Sequence, residues 1–303
     1  MYKNNYPKLS IVTPSLNQGL YLEATINSVL SQMYPNLEYI IIDGGSTDES
    51  VEIIKKYAHH LHFWCSEPDN GHYSAVNKGF SKASGDIFAW LNSDDMYCPD
   101  AFRSVAAIFS QFPGVSWLTT TRQLVWDSQG NRKSVKRIPG YSRAAFLKGR
   151  YFSRKFSGFG FIQQESTFWR SQLWEKVGGL RTEFNLAGDF DLWARFFAHE
   201  DLYGVDHPLG GFRVHDENRS RQTRQSSKYI SEAEHALELM RRKFNCPGKN
   251  IHSIILDRIK SITILRRLAK RYNRFLEAPY NGSVISLTDP QSGNKWQMVT
   301  TRF

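Results

Sequence analysis

The sequence predicts an α/β fold with a mixed, mainly parallel sheet flanked by helices. Short apolar runs alternate with segments whose apolar residues recur at helical spacing. Several of these runs are continuously apolar, which is typical of parallel strands that are covered on both faces. The chain has 303 residues, of which 41% are hydrophobic, so it can bury a large core.

The first elements form a strand, a helix and a second strand. The opening strand lies in "KLSIVTPSLN" and ends at Thr13–Pro14, and a helix begins near Leu20. The second strand lies in "NLEYIIIDGG" and ends at Asp43. Ser46 and Glu49 have the spacing of a capping box that would begin the next helix. Strands joined through a helix run parallel, so this unit predicts a parallel sheet.

The alternation continues along the chain. We expect a third strand in "HFWCSEPDNG", a short helix in "YSAVNKGFSKASG", a fourth strand in "DIFAWLNSDD" and a helix in "PDAFRSVAAIFSQFP". A hairpin is predicted in "VSWLTTTRQLVWDSQGNRK", and an active-site loop at residues 141–160. Then come a strand and helix in "FIQQESTFWRSQLWEKVGGL", a helix in "AGDFDLWARFFAHE", a last core strand in "LGGFRVHDENRS" and a small terminal hairpin.

The charge divides the chain into two predicted regions, a domain at 1–225 and a basic helical region with a short tail at 226–303. Residues 241–274 hold eleven Lys or Arg against the single Asp257, which equals the whole net charge of +10. Because this charge forms one segment outside the predicted core, we expect no nucleic-acid partner. The segment is amphipathic, and three interpretations stay open: a solvated helix face, an oligomer contact, or a helix on an anionic membrane surface.

The cysteines and the absence of long apolar runs bear on location. Cys65, Cys98 and Cys246 share no CxxC spacing, so we expect free thiols in a reducing compartment. No leader-like segment or spanning run is evident. The expected location is cytoplasmic, with peripheral binding to the inner face of the cytoplasmic membrane through residues 241–274.

Polar residues stand at the end of each of the four predicted parallel strands. They are Thr13–Ser15, Asp43, Asp69–Gly71 and Asp94–Asp95. One such Asp is commonly a turn or cap residue, but the carboxyl ends of parallel strands meet at one edge, where ligands bind. The repetition therefore favours a site at this edge.

Adjacent carboxylates indicate how this site could bind phosphates. No GxGxxG or GxxxxGK[ST] pattern follows any strand, so the usual backbone cradles for phosphates are missing. Asp94 and Asp95 can instead hold Mg²⁺ or Mn²⁺ together with phosphate oxygens. Such an ion would offset the charge of a diphosphate leaving group.

In this order and spacing, the motifs resemble those of family 2 glycosyltransferases with a GT-A fold, similar to bacterial enzymes of surface-polysaccharide assembly. The resemblance covers about residues 8 to 220. The matching segments are "SIVTPSLNQG", "IIDGGSTDES", "DNGHYSAVNKGF", "WLNSDD", "QQESTFWR", "GDFDLWARF" and "FRVHDENRS". The resemblance implies a nucleotide-diphosphate sugar as donor, with a UDP-sugar favoured, and Mg²⁺ or Mn²⁺ as cofactor.

The resemblance also implies roles for individual residues. Asp95 and His215 would bind the metal ion, and Asp189, with Asp191 as the alternate, would be the catalytic base. Acceptor contacts are expected from Gln164 and Glu165, and also from Gln163. The nucleotide-sugar would contact Thr13, Pro14, Ser15, Asn17, Asp43, Gly71, Asn77 and Asp94.

Two positions depart from the family pattern, and several residues have other interpretations. Asn92 stands where an acid is frequent, and Gly188 where a Glu often precedes Asp189. Asp189 could equally be a helix N-cap, and His215 a core histidine. Three tryptophans are expected in the core: Trp90, Trp169 and Trp193.

The sequence thus predicts a metal-dependent, inverting glycosyltransferase of hexosyltransferase type. It would transfer a sugar to a hydroxyl of a saccharide or lipid-linked saccharide in surface-polysaccharide biosynthesis. One alternative is a sugar-phosphate nucleotidyltransferase, although "TPSLNQGLY" has no basic residue to contact a triphosphate. Another is a non-catalytic carbohydrate- or membrane-binding protein on the same fold.

Overall fold

The computed structural model describes residues 6–152, 158–216, 218, 227–244, 279–288 and 295–303. Its strands are β1 Leu9–Ser15, β2 Leu37–Asp43, β3 Phe63–Ser66, β4 Ile87–Trp90, β5 Met96–Tyr97, β6 Trp117–Thr120, β7 Arg122–Trp126, β8 Arg132–Arg137, β9 Phe168–Arg170, β10 Tyr203–Val205, β11 Gly210–Arg213, β12 Asn281–Leu287 and β13 Trp296–Arg302. They form a nine-stranded sheet, in the order β13-β12-β10-β6-β9-β4-β1-β2-β3, and a four-stranded sheet, in the order β5-β11-β7-β8.

Helices cover both faces of the large sheet, which confirms the predicted α/β class. Among the described strands of this sheet, five of the eight neighbouring pairs are parallel. The helices are α1 Gly19–Leu30, α2 Ser50–Tyr57, α3 His72–Phe80, α4 Ala101–Gln111, α5 Arg143–Leu147, α6 Ser171–Val177, α7 Gly188–Phe197 and α8 Ser227–Lys243.

The four predicted parallel strands lie side by side in the order β4-β1-β2-β3. Ser15 of β1 is in register with Asp43 of β2, and Asp43 with Ser66 of β3. On the other side of β1, Val12 is in register with Trp90 of β4. The carboxyl ends of these strands therefore meet at one edge, as the sequence predicts.

The remaining strands extend both sheets. β9 lies antiparallel between β4 and β6, and the terminal hairpin β12–β13 joins the large sheet beside β10. The terminal hairpin is thus confirmed, as is the β7–β8 hairpin around "DSQGN". The strand predicted in "LGGFRVHDENRS" is β11, which pairs with β5 and β7 in the small sheet and not with the core sheet. The boundary between residues 225 and 226 stays a prediction.

Two local predictions differ from the structure. The capping box is wrong because α2 begins at Ser50, while the Ser46 hydroxyl donates to Asp43 Oδ1 at 2.6 Å. The active-site loop at 141–160 is not a loop throughout, because it contains α5. Tyr141 and Phe146 of this segment are buried in the core, since aromatic side chains gain more from packing than from lining an open loop.

The core lies on both faces of the large sheet, and the three predicted core tryptophans are buried in it: Trp90, Trp169 and Trp193.

Cys65 and Cys98 are free thiols, while Cys246 lies outside the described residues, as does most of the basic segment 241–274. In the described part of the chain, no helix combines the length and apolar character needed to cross a membrane.

A buried carboxylate ties together the amino ends of the strands that carry the site. Glu38, in β2, forms an ion pair with Lys8 at 2.7 Å and accepts hydrogen bonds from the Ser10 hydroxyl and from the backbone N–H of Ser84. Burial alone raises the pKa of Glu38. The bonds from Lys8, Ser10 and Ser84 lower it by more, so that the pKa is about 2. The ionised carboxylate therefore holds β1, β2 and the approach to β4 together.

We predict that Glu38→Gln lowers the free energy of unfolding by about 2 kcal/mol at pH 7, because hydrogen bonds to a charged group contribute this much. The folded-state pKa is below the ordinary value of 4.5, so this contribution is present above pH 4.5 and is lost as the pH falls toward 2. Denaturant unfolding of both proteins at several pH values measures the difference. Glu52→Gln, at an exposed position on α2, is the matched control. A difference that stays constant down to pH 2 would contradict this assignment.

Candidate active site

The end of β1 and the loop after it form the first wall of the edge. Ser15 is buried, and its hydroxyl has no hydrogen-bond partner among the described residues. Asn17 has a φ of 50°, and its side-chain oxygen accepts from the backbone N–H of Thr47 at 2.8 Å. Thr13 contacts Tyr39, with 3.1 Å between their hydroxyl oxygens. Hydrogen bonds from side chains therefore order this wall, and the Ser15 hydroxyl is a buried polar group without a partner among the described residues.

Asp43 organises the loop that follows β2. It is fully buried, and its carboxylate accepts hydrogen bonds from the backbone N–H groups of Gly45 and Ser46 at 3.1 and 2.9 Å. The hydroxyls of Ser46 and Ser66 add bonds of 2.6 and 2.7 Å. Three of these bonds hold the turn itself, the bond from Ser66 ties Asp43 to the end of β3, and a contact from Asp43 to a base stays a prediction.

The third strand end leads into α3. Asp69 Oδ1 accepts from the backbone N–H of Gly71 at 2.7 Å, and Gly71 adopts a φ of 100°, which favours glycine. The side-chain amide of Asn77, farther along α3, bonds the backbone N–H and carbonyl of Leu180 at 2.9 and 2.8 Å. This amide therefore braces α3 against the chain after α6, and nucleotide binding by Asn77 stays a prediction.

The turn after β4 holds two carboxylates in a fixed geometry. Asp95 is fully buried, and its oxygens accept from the backbone N–H of Arg213 at 2.8 Å and from the side-chain amide of Asn92 at 3.2 Å. The Thr25 hydroxyl, on α1, lies 2.9 and 2.8 Å from the carbonyl oxygens of Ser93 and Asp95. Asn92 departs from the family pattern, and its side-chain amide donates a hydrogen bond to the Asp95 carboxylate. An acid at this position would instead repel that carboxylate.

Asp94 meets the residues that follow β11. Its Oδ2 lies 3.0 Å from His215 Nε2 and 3.3 Å from Asn218 Nδ2. The His215 ring packs on Tyr21 with 4.3 Å between ring centroids, and its Nδ1 is buried with no partner among the described residues. The structure therefore brings Asp94, Asp95 and His215 together, as the sequence predicts.

The electrostatics of this cluster suit a bound cation. Burial raises the pKa of Asp95 well above its usual range, and the neighbouring charges of Asp94 and Glu165 raise it further. A cation would relieve this repulsion, and carboxylate oxygens are the ligands that Mg²⁺ and Mn²⁺ prefer. Within the described ranges, no three His, Cys, Asp or Glu side chains form a ready set of ligands. Phosphate oxygens and water would therefore complete the coordination.

Arg213 is a residue of this cluster that the sequence analysis missed. It is 3% exposed and lies over the Tyr21 ring, with 5.1 Å from its guanidinium carbon to the ring centroid. Its Nε and Nη2 have no hydrogen-bond partner among the described residues. A buried guanidinium with unused donors is suited to an anionic ligand. The sequence offers only a weak indication, because Arg213 lies two residues before His215 in "FRVHDENRS".

The amino end of α7 lies at the same edge. The backbone N–H of Gly188 donates to the Tyr73 hydroxyl at 3.0 Å, and Tyr73 lies at the start of α3, just after Gly71. An ideal Cβ at Gly188 would lie 2.5 Å from the Tyr73 ring, which explains why no Glu occupies this position. Asp189 follows in the first turn of α7 and is partly exposed.

Asp191 has a different environment from Asp189. It is 2% exposed and forms ion pairs with Arg195 at 2.9 Å and Arg181 at 3.5 Å. Burial raises the pKa of Asp191, while the two arginines lower it by less. Asp191 therefore holds α7 against the chain around residues 177–181, where the Arg195 guanidinium also bonds backbone carbonyls.

Gln164 and Glu165 lie in a short helical turn next to the cluster of Asp94, Asp95 and His215. Both are buried, and Gln164 Nε2 donates to the carbonyl of Trp90 at 2.6 Å. The Gln164 Oε1 has no hydrogen-bond partner among the described residues. Glu165 lies close enough to Asp95 to influence its pKa, which the sequence analysis did not predict. Acceptor binding by Gln164 and Glu165 stays a prediction.

Comparisons with known proteins identify the family and the fold of the chain. The chain is 32% identical over 189 residues to an uncharacterized glycosyltransferase of Mycobacterium tuberculosis, a match that covers 60% of this chain and 66% of the relative's length. Two solved structures share the fold. One is TarS 1-349 of S. aureus in complex with UDP-GlcNAc, with a TM-score of 0.61, 13% identity and coverage of 89% of this chain and 76% of that one. The other is the mannosyltransferase PcManGT from Pyrobaculum calidifontis in complex with GDP-Man and Mn²⁺, with a TM-score of 0.52, 15% identity and coverage of 88% and 84%.

The fold is therefore that of GT-A glycosyltransferases, as the sequence predicts. A family model described as Glycosyl transferase family 2 matches residues 10–174, which include the strand ends from β1 to β4. The chain belongs to glycosyl transferase family 2.

Proposed function

We propose that the protein is an inverting, metal-dependent glycosyltransferase that uses a nucleoside-diphosphate sugar, with a UDP-sugar favoured. It would act on a hydroxyl of a saccharide or lipid-linked saccharide in surface-polysaccharide biosynthesis. The observation that carries this proposal is the cluster of Asp94, Asp95, Arg213 and His215 at the carboxyl edge of the sheet. TarS in complex with UDP-GlcNAc and PcManGT in complex with GDP-Man and Mn²⁺ agree with it.

The cluster supplies both kinds of contact that a diphosphate needs. Asp95 and Asp94 would hold Mg²⁺ or Mn²⁺, and the buried guanidinium of Arg213 would donate to phosphate oxygens. When bound, the ion supplies positive charge to the leaving diphosphate. His215 bonds Asp94 and packs on Tyr21, so it holds the carboxylate in place and would contribute to binding of the ion or the diphosphate.

The nucleoside would lie along the ends of β1 and β2. The Ser15 hydroxyl is buried without a partner among the described residues, so it can bond the ribose or the base. The loops after both strands are fixed to each other, because Asn17 bonds the chain at Thr47 and Ser46. Thr13, Pro14, Asp43 and Gly71 would shape the walls of this pocket.

Asp189 would act as the catalytic base. Its partial exposure leaves it accessible to an acceptor, whereas Asp191 is committed to arginines. The acceptor oxygen attacks the anomeric carbon while the bond from that carbon to the diphosphate oxygen breaks. The hydroxyl proton passes to the Asp189 carboxylate, and the nucleoside diphosphate leaves with the bonding electron pair. A single displacement of this kind inverts the anomeric configuration.

A nucleotidyltransferase is the less favoured alternative. It would release pyrophosphate, whereas the proposed reaction releases a nucleoside diphosphate. The loop between β1 and α1, which would have to contact a triphosphate, contains no basic residue.

We predict that Asp95→Asn abolishes turnover while the protein remains folded. The neutral amide keeps the size of the side chain but loses the charge that binds a cation. Release of nucleoside diphosphate from a panel of UDP-, GDP- and dTDP-sugars with Mn²⁺ measures turnover, and thermal unfolding checks the fold. Asp100→Asn, at an exposed position five residues along the chain, is the control and should retain full activity. Full activity in Asp95→Asn would refute the proposed mechanism.

We predict that Asp189→Asn lowers kcat by roughly 10²- to 10⁴-fold, since a general base contributes about this factor. The affinity for UDP in the presence of Mn²⁺ should stay the same, because Asp189 is assigned to the acceptor side. Rates come from the same release assay and affinity from calorimetry. Asp201→Asn, an exposed acid beyond the carboxyl end of α7, is the control. An unchanged kcat in Asp189→Asn would remove the base from the mechanism.

A further inference from the structure

The chain just before Asp189 is held by a carboxylate from the C-terminal region. Glu232, on α8, accepts three hydrogen bonds through a single oxygen, Oε2. The donors are the consecutive backbone N–H groups of Asn185, Leu186 and Ala187, at 3.1, 2.8 and 3.0 Å. Hydrogen bonds to an ionised acceptor are roughly twice as strong as neutral ones. Glu232 therefore fixes the backbone that leads directly into α7.

A second side chain continues this set of bonds. The next backbone N–H, that of Gly188, donates to the Tyr73 hydroxyl at 3.0 Å. Four consecutive backbone donors are thus bound by side chains from α8 and α3. We call Glu232 and Tyr73 the α7 brace. Because backbone N–H groups donate every one of these bonds, the brace fixes the position of the chain and not the rotamer of one side chain.

The two helices that carry the brace are themselves fixed. The apolar face of α8 packs into the same core cluster as Phe184 and Phe190, which flank the braced segment. The buried residues of α8 are Tyr229, Ala233, Ala236, Leu237 and Met240. α3 is held to the sheet by the close approach of Gly79 to Val12, where an ideal Cβ would lie 2.4 Å from a Val12 methyl carbon. Rigid elements of this kind are what a precisely placed functional group requires.

We infer that Glu232 and Tyr73 are positioning residues that set the location of the Asp189 carboxylate. The inference rests on the proposed role of Asp189 as the base. Neither side chain is assigned to the substrate, so both act through the backbone of residues 185–188. Helix α8 then helps to position the base, and Tyr73 links the base to the chain after Gly71 on the donor side.

Kinetics of Glu232 variants test the inference. Glu232→Ala should lower kcat by roughly 10- to 100-fold, because displacement of a catalytic group by about 1 Å costs up to this factor. The affinity for UDP with Mn²⁺ should stay unchanged. Glu232→Gln keeps an acceptor oxygen and should stay within about fivefold of the original kcat. Glu234→Ala, at an exposed position on the same helix, is the matched control and should have no effect.

A double-mutant cycle separates positioning from general stability. Glu232→Ala added to Asp189→Asn should lower kcat little further, because residues that act through one group are not additive. Tyr73→Phe, which keeps the ring against Gly188, should lower kcat by roughly 3- to 10-fold in the original protein and little in the Asp189→Asn background. An equal fall in both backgrounds would overturn the inference.

The failure of this inference differs from the failure of the proposed function. A large loss in Asp189→Asn with an unchanged kcat in Glu232→Ala overturns the brace and leaves the proposed base intact. An unchanged kcat in Asp189→Asn overturns the base and the brace together. A loss in Glu232→Ala that is accompanied by an equal loss of affinity for UDP contradicts positioning of the acceptor side.

Discussion

The negative charge buried at the carboxyl end of β4 is the constraint on which the site depends. Asp95 is removed from water and faces the charges of Asp94 and Glu165. An ionised carboxylate at such a position needs compensating hydrogen bonds and a positive charge. Among the described residues, the hydrogen-bond donors on Arg213 and Asn92 and the nearby Arg213 guanidinium provide part of the compensation. A cation bound together with a diphosphate would offset the rest of the negative charge at Asp95.

The turn after β4 also connects the two sheets and α1. The bond from the Arg213 backbone to Asp95 connects β11, in the small sheet, with the end of β4, in the large sheet. The Thr25 hydroxyl connects α1 to the same turn. At the opposite ends of these strands, Glu38 binds Lys8, Ser10 and Ser84. The strands are therefore fixed at both ends, and a displacement of one strand end would disturb the whole cluster.

The sequence was sufficient for the strands that combine a continuous apolar run with a polar end. It predicted β1 to β4 along the chain, their parallel arrangement, and the position of Asp43, Asp94 and Asp95 at one edge of the sheet, but it did not predict that β4 lies beside β1. It did not reveal that β11 leaves the core sheet, because a short strand pairs according to long-range contacts that no local pattern encodes. Ser46 was misassigned for a related reason, since Asp43 competes with the helix for its hydroxyl.

The charged residues that act across the fold were also beyond the reach of local patterns. Glu232 is far from Asp189 in sequence, and nothing in "ISEAEHALEL" indicates that one of its acids binds three backbone donors. Arg213 lies only two residues from His215, but β11 ends at Arg213, so strand alternation does not link their side chains. The burial of Arg213 over Tyr21 depends on α1, which only the folded chain brings close.

A calorimetric titration of the protein with UDP, with and without Mn²⁺, tests most directly whether the Asp94 and Asp95 cluster binds a nucleoside diphosphate through a metal ion. Binding should require the ion, because these two carboxylates repel a diphosphate when no cation offsets their charge. GDP, ADP and dTDP in parallel titrations would identify the base. No binding of any of these nucleotides, with or without Mn²⁺, would contradict the assignment of this cluster to a nucleoside diphosphate.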